Sequence, residues 1–358
     1  MTKRTAIAIA LASLFVAGGV NAATVYKSDN GDYVKLYGEV GVGGHFGADY
    51  DYGEFYRDKS FIDDSFATMG VKGTKEDVYY RLELDYEREN WAYGSGDMVT
   101  SIDKLFVGYQ LNKNNAIEVG LTDTAFDDYD KYGDFTFDTT VETGEAGDQD
   151  RTLKYEGNFD MIRIGASYSY ESESSSGSAL GDIVNGYIGY FGDQLSAVAG
   201  MEMRAGSDGE SKYGEQTLYG FGMRYKVNDK LAVGVNAFIE KEDIAQESTN
   251  VVVDPTNSDN NVTVYNDYQE RENKGALVSA RYELTDKWEL TASSNYEEYE
   301  QWEIDNNEYG ALEKEWGDER TWQTIGINFK PSRSVILAYE QNFGESAQST
   351  YAYARVYF

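Results

Sequence analysis

The most abundant chemically active side chains in this sequence are carboxylates. Its 358 residues hold 63 Asp and Glu against 31 Lys and Arg, with one His and no Cys, for a formal net charge of −32. Without Cys there are no disulfides and no thiolate metal sites. A hydrolytic site often uses a histidine as general base or metal ligand. The single one, His45, falls in a polar stretch that reads as a solvated loop. Neighbouring acids such as Asp127 and Asp128 could coordinate Ca²⁺ or Mg²⁺, yet no stretch has the spacing of a calcium loop. No bound metal and no cofactor are therefore expected. The acidity excludes nucleic acid as a partner. The 15% aromatic content, with 31 Tyr, sets the chain apart from a disordered acidic tail. What remains for these charges is electrostatics, which requires a scaffold to hold them in place.

The scaffold is made of strands. The N-terminus reads as an export signal: Lys3 and Arg4, an apolar core over Ala6 to Val16, and a small-residue cleavage site at Val20-Asn21-Ala22. Residues 1–22 are thus expected to be removed, leaving 23–358 as one barrel domain and lowering the net charge by two. No later stretch approaches the ~20 apolar residues of a membrane helix. Instead, segments of about ten residues alternate apolar and polar positions. Val34, Leu36, Val40 and Val42 share one face, with Lys35, Tyr37 and Glu39 on the other. Tyr80, Leu82, Leu84 and Tyr86 alternate with Arg81, Glu83, Asp85 and Glu87. The same alternation sets Ile164, Ala166 and Tyr168 against Arg163, Gly165 and Ser167, and Ile325, Ile327 and Phe329 against Gly326 and Asn328.

Connectors of two sizes take turns between the segments. Short ones lie near 73–77, 112–114, 157–159, 192–194, 228–230, 285–287 and 331–333. Long acidic ones lie near 44–64, 88–100, 122–150, 171–182, 203–215, 239–274, 297–320 and 341–350. Seven short and eight long connectors imply sixteen antiparallel strands, closed into a transmembrane β-barrel with short periplasmic turns and long extracellular loops. A barrel of that size keeps an aqueous lumen. Tyr109, Tyr168, Tyr225, Tyr282, Trp288, Phe329 and Tyr339 would form aromatic girdles on its outer face, and Phe106 reads as a lone inward aromatic. The last segment, Tyr351 to Phe358, puts Ala352, Ala354, Val356 and Phe358 on one face and Arg355 on the other. Such a strand is expected to pair with the first strand, leaving no edge.

These residues carry a resemblance. Tyr26-Lys-Ser-Asp29, Val34-Lys-Leu-Tyr-Gly38, Phe66-Ala-Thr-Met-Gly-Val-Lys-Gly73, Lys104-Leu-Phe-Val-Gly108 and Arg355-Val-Tyr-Phe358 stand in the order found in the general diffusion porins of gammaproteobacterial outer membranes, and the chain resembles that family over its mature length. The resemblance implies a homotrimer of sixteen-stranded barrels in the outer membrane, surrounded by lipid and lipopolysaccharide. It also implies that Val356 and Phe358 form the signal read by the barrel assembly machinery. The third long loop would fold into the barrel, its acids facing a basic cluster on the wall.

In this chain the matching constriction loop carries Asp127, Asp128, Asp134 and Asp138, without the family's Pro-Glu-Phe-Gly-Gly stretch. The wall departs further. Glu39, Thr68 and Glu156 stand where the family has basic residues, and Lys104 keeps a charge usually carried by Arg. Lys35, Lys72, Arg81, Arg163 and Arg355 also point inward by alternation, either replacing the lost cluster or lying away from the narrowest point. Acids outnumbering bases there predict a water-filled, cation-selective channel for ions and small hydrophilic solutes, with no enzymatic activity. The alternative is a substrate-selective channel of the oligosaccharide type. The acidic loops could also share divalent cations with lipopolysaccharide phosphates.

Overall fold

A computed structural model describes residues 23–358 apart from 53–54, 91–93, 138–140, 142, 174–178, 207–213, 254–260, 306–310 and 345–346. The described residues form eighteen strands in one antiparallel sheet. They are β1 (Ala23–Lys27), β2 (Tyr33–Tyr52), β3 (Phe55–Asp63), β4 (Phe66–Lys75), β5 (Val78–Asn90), β6 (Ser95–Asn112), β7 (Asn115–Asp123), β8 (Asp148–Phe159) and β9 (Ile162–Glu173). The second half holds β10 (Ala179–Phe191), β11 (Leu195–Arg204), β12 (Gln216–Lys226), β13 (Leu231–Val253), β14 (Asn261–Thr285), β15 (Trp288–Asp305), β16 (Ala311–Ser332), β17 (Val335–Gly344) and β18 (Ala347–Tyr357). Sixteen of them, β2 and β4 to β18, close the ring, because β18 pairs with β2 and β2 pairs with β4. The two extra strands lie on β2. Its loop-end half is flanked by β3, and β1 lies along its other end, where Ala23 faces Leu36.

Burial is inverted relative to a soluble domain. Val42, Val107, Val119, Ile188, Val278 and Ile325 are exposed around the outside, while Asn185, Asn236, Ser279, Thr291, Asn295 and Thr324 are buried within. That inversion is what a strand between hydrocarbon and a wet lumen requires. Tyr109, Tyr168, Tyr225, Tyr282, Trp288 and Tyr339 are exposed on the outer face, and Phe329 packs on Trp288 with ring centroids 4.4 Å apart.

Six of the seven short turns overlap their expected positions, from Glu76-Asp77 to Arg333-Ser334, while 157–159 is the end of β8 and the turn there is Asp160-Met161. The long connectors are another matter. Much of 239–274 is strand, with β13 and β14 paired from Leu231↔Tyr282 out to Val253↔Asn261. On the other side, β2 and β3 are likewise paired from Gly44↔Asp63 to Tyr52↔Phe55. Ladder hydrogen bonds do not depend on side-chain hydropathy, so antiparallel pairing continues past the apolar band where both faces are polar. His45 is accordingly no solvated loop residue. It sits on β2, 8% exposed, with its ring 4.9 Å from that of Tyr351.

Candidate functional site

The described residues of 124–147, between β7 and β8, do not leave the barrel at its loop end. They turn inward and lie against the inner wall. Ala125 N donates to Ser167 Oγ on β9 at 3.0 Å, and Phe126 N donates to Asn185 Oδ1 on β10 at 2.6 Å. The Phe126 ring is fully buried on Gly200 of β11 and Gly220 of β12, where any added Cβ would lie within about 2.5 Å of it. A single 3₁₀ turn, Asp127–Tyr129, follows. Tyr132 covers Gly222 and donates to Ser196 Oγ at 2.6 Å. Gly133 then presses its backbone onto β13 at φ +112°, a conformation and an approach that exclude a side chain. Its carbonyl accepts from Ser279 Oγ on β14 at 2.6 Å.

Phe137 reaches the far side. Its N–H donates to Glu340 Oε1 on β17 at 2.5 Å, and its ring lies 5.6 Å from that of Tyr353 on β18. The return limb is fixed by wall acids. Glu240 accepts from Gly144 N at 3.0 Å, and Glu202 accepts from both Ala146 N (3.2 Å) and Asn185 Nδ2 (2.7 Å). The loop therefore covers the wall of β9 to β14 and touches β17 and β18. Across the ring from that wall lie β2, β4 and β5.

Both ends of the loop are tied to one lysine. Lys104 of β6 is 5% exposed, and its Nζ lies 2.6 Å from Asp123 at the end of β7 and 3.3 Å from Asp103. It also contacts Asp148 at the start of β8. Asp123, Asp127 and Asp148 bring their carboxylates within 4.8 Å of one another, as do Glu83, Asp85 and Asp103. Either trio has the oxygen chemistry of a hard-cation site, but in the first the Lys104 ammonium already supplies the positive charge. Burial, reinforced by the negative charges of Asp123 and Asp130, pushes the Asp127 carboxyl up to about 7. Burial also raises Asp134, against hydrogen bonds from Thr136 N (2.8 Å) and Thr136 Oγ1 (2.7 Å), and it raises Glu145. Asp128 is exposed. Asp138 lies outside the described residues.

The facing wall is layered. Lys35, Lys72 and Arg81 stand directly opposite one another on β2, β4 and β5. Lys72 Nζ lies 4.6 Å from the centre of the Tyr37 ring, and Arg81 pairs with Glu83 at 2.8 Å. Two layers nearer the loop end, beyond Tyr37, Gly70 and Glu83, Glu39 sits 3.5 Å from Arg355, and Thr68 donates to Asp85 at 2.6 Å. Glu156, on β8, accepts from Tyr187 at 2.7 Å. Arg163 stacks on Phe191 at 4.3 Å from the ring centre.

Phe106 is not alone in facing inward. Tyr187 and Phe191 pack beneath the loop with Tyr129 and Tyr132, and Tyr351 and Tyr353 pack with Phe66 and Phe137. They share their inward face with Asn185 and Gly189 on β10 and with Ser349 and Arg355 on β18, and that was the available signal. It was obscured because their outward neighbours include Tyr and Phe as well.

A family model described as Gram-negative porin matches residues 5–340. No curated protein sequence matches. Among solved structures, a loop-deletion variant of OmpT, an outer-membrane protein of Vibrio cholerae, has a TM-score of 0.65 at 16% identity, covering 91% of this chain and 99% of that one. OmpF of Salmonella typhi in complex with daunomycin scores 0.59 at 15% identity, covering 94% and 99%. An anion-selective porin from Comamonas acidovorans scores 0.56 at 12% identity, covering 91% and 100%.

Proposed function

Because the chain belongs to the Gram-negative porin family, we propose that it is an outer-membrane general diffusion channel whose infolded loop makes it cation-selective. The fold alone does not choose a sign, since the similar porin from Comamonas acidovorans is anion-selective. The observation that carries the reading is the position of Lys104. This cation of the family-like wall is buried under the loop and held by Asp123 and Asp148, so it adds no free positive charge to the passage. Arg81 and Arg355 are likewise compensated, by Glu83 and Glu39. Asp128 and the partly buried Asp127 and Asp134 then act on permeating ions from the loop, with Asp85 on the facing wall. In a confined path such fields are focused.

The reading is of a passive pore, not an enzyme, with turns in the periplasm and loops outside. It includes removal of residues 1–22, assembly as a homotrimer in lipid and lipopolysaccharide, and delivery by the barrel assembly machinery through Val356 and Phe358. Divalent cations shared between acidic loops and lipopolysaccharide phosphates belong to the same proposal. The test is the reversal potential of purified channels in a KCl gradient across a planar bilayer. A potassium preference is expected, and a chloride preference would sink the assignment. The oligosaccharide-channel alternative is favoured by the inward Tyr351–Tyr353–Phe66 cluster. Liposome swelling separates the two: rates falling smoothly with solute size support the general pore, and saturation by one sugar supports the alternative.

A further inference from the structure

Beneath the infolded loop, at the turn end of the lumen, lies a cavity of about 330 Å³. Its roof is Phe135 of the loop, and its walls include Arg224 of β12 and Arg281 of β14. The two arginines converge because the strand between them is bare on this face. Arg224 stands opposite Gly234, and Arg281 stands opposite Ala232, both on β13. Their guanidinium carbons lie 5.4 Å and 4.9 Å from the centre of the same Phe135 ring, and Arg224 also stacks on Tyr132 at 4.2 Å.

This arrangement is incomplete in two respects. The Nε of Arg224 is buried and has no hydrogen-bond acceptor. A buried guanidinium donor is satisfied in folded proteins, with carboxylate or phosphate as its best planar partner. In addition, two like charges share one aromatic ring, while Arg281 faces Glu289 at 3.7 Å. The other charges around the cavity do not supply the missing acceptor. Lys226 is engaged by Asp229 at 3.1 Å, Lys230 adds a further positive charge, and Asp193 and Glu283 lie at the rim.

We propose that this cavity is a binding subsite for small organic oxyanions. A carboxylate or phosphate group would bridge Arg224 and Arg281, and the carbon skeleton would lie against Phe135. Its volume admits a metabolite of a few carbons and not a polymer. The subsite is separate from the acids of the loop and wall. It requires only that the barrel be open at its turn end, and it does not depend on the sign of the pore's selectivity.

Citrate is the probe. Calorimetry on the detergent-solubilised protein at constant ionic strength should detect saturable citrate binding, weakened about tenfold or more in Arg224→Gln/Arg281→Gln, as expected when charge-assisted contacts are lost. In a bilayer, citrate added on the turn side should reduce single-channel current, and the double variant should abolish that reduction. Lys287→Gln/Arg333→Gln removes the same charge from the turn end outside the cavity and should leave citrate binding intact. Equal loss in both double variants would reduce the effect to general electrostatics and overturn the site, as would unchanged binding in the arginine variant. Should that variant fail to give the heat-modifiable folded barrel on a gel, Arg224→Lys/Arg281→Lys keeps the charge and loses the planar fork. Full citrate binding by that form would also overturn the proposal.

Discussion

Gly38 and Phe358 exchange both of their backbone hydrogen bonds, at 3.0 Å and 2.9 Å, and the Phe358 ring lies in the space that a side chain at Gly38 would fill. The pair closes the ring between the first and last of its strands, on the outward face that Val40 and Val356 also share. A Cβ at position 38 would come within 2.7 Å of the Phe358 ring and 2.3 Å of the Thr68 carbonyl oxygen. Gly38→Leu is therefore expected to spread the seam at a cost of about 2 kcal/mol, as for overpacking in a close-packed interior. A lower urea midpoint for loss of the heat-modifiable barrel would show it. Deleting Phe358 should reduce the amount of protein reaching the outer membrane, and wild-type levels would count against its role in assembly.

The second prediction concerns Lys104. Replacing it with Met leaves Asp123 and Asp148 facing each other at the loop's two ends without their shared cation. Removing one partner of a buried ion pair costs about 3 kcal/mol or more, and here the cost falls on the anchoring of the loop. Lys104→Met should lower thermal stability and increase current noise, and adding Asp148→Asn should restore part of both. A stable, quiet single variant would mean that the ammonium contributes little.

Which features could be read ahead of the structure follows from what repeats along the chain. Alternation and unequal connectors reveal the sixteen-stranded ring, because each strand between lipid and water obeys the same rule. The loop-end extents of β13 and β14 escaped that reading because Glu240 to Glu242 and Glu270 to Lys274 are polar on both faces. Asp127, Asp128 and Asp134 could be named from the sequence, and they lie on the infolded loop, while Asp138 is outside the described residues. The loop's anchoring could not be read that way, since Gly200, Gly220 and Gly222 are legible only as small strand residues until Phe126 and Tyr132 are seen resting on them. The capture of Lys104 was hidden for a similar reason. Asp123 and Asp148 reach it only after the barrel has brought β6, β7 and β8 side by side.

Phe126 is the pin of the infolded loop. Phe126→Ala should cost about 3 kcal/mol, the lower end for a buried aromatic, and the loss should fall on the loop while the strand ring persists. Larger single-channel conductance and faster entry of bulky solutes into liposomes would follow. Unchanged conductance with a lowered melting temperature would instead place the effect on the barrel as a whole.

The last prediction is the pH dependence of selectivity. Burial and neighbouring acids hold the Asp127 carboxyl at about 7, so it carries its proton below that pH and loses it above. Deprotonation adds a negative charge to the loop beside the passage. Cation preference should therefore rise with pH, most of the change falling within about one unit either side of 7. Asp127→Asn should flatten the profile near its acidic value. Neutralising Asp128 as well should move the reversal potential further towards zero at every pH, because that exposed carboxylate lies outside the buried cluster. Salt supplies the control. The Debye length falls from ~10 Å at 0.1 M to ~3 Å at 1 M, so a filter made of these loop acids should weaken as KCl rises. A potassium preference that survives the double substitution would move the filter to the acidic loops at the mouth.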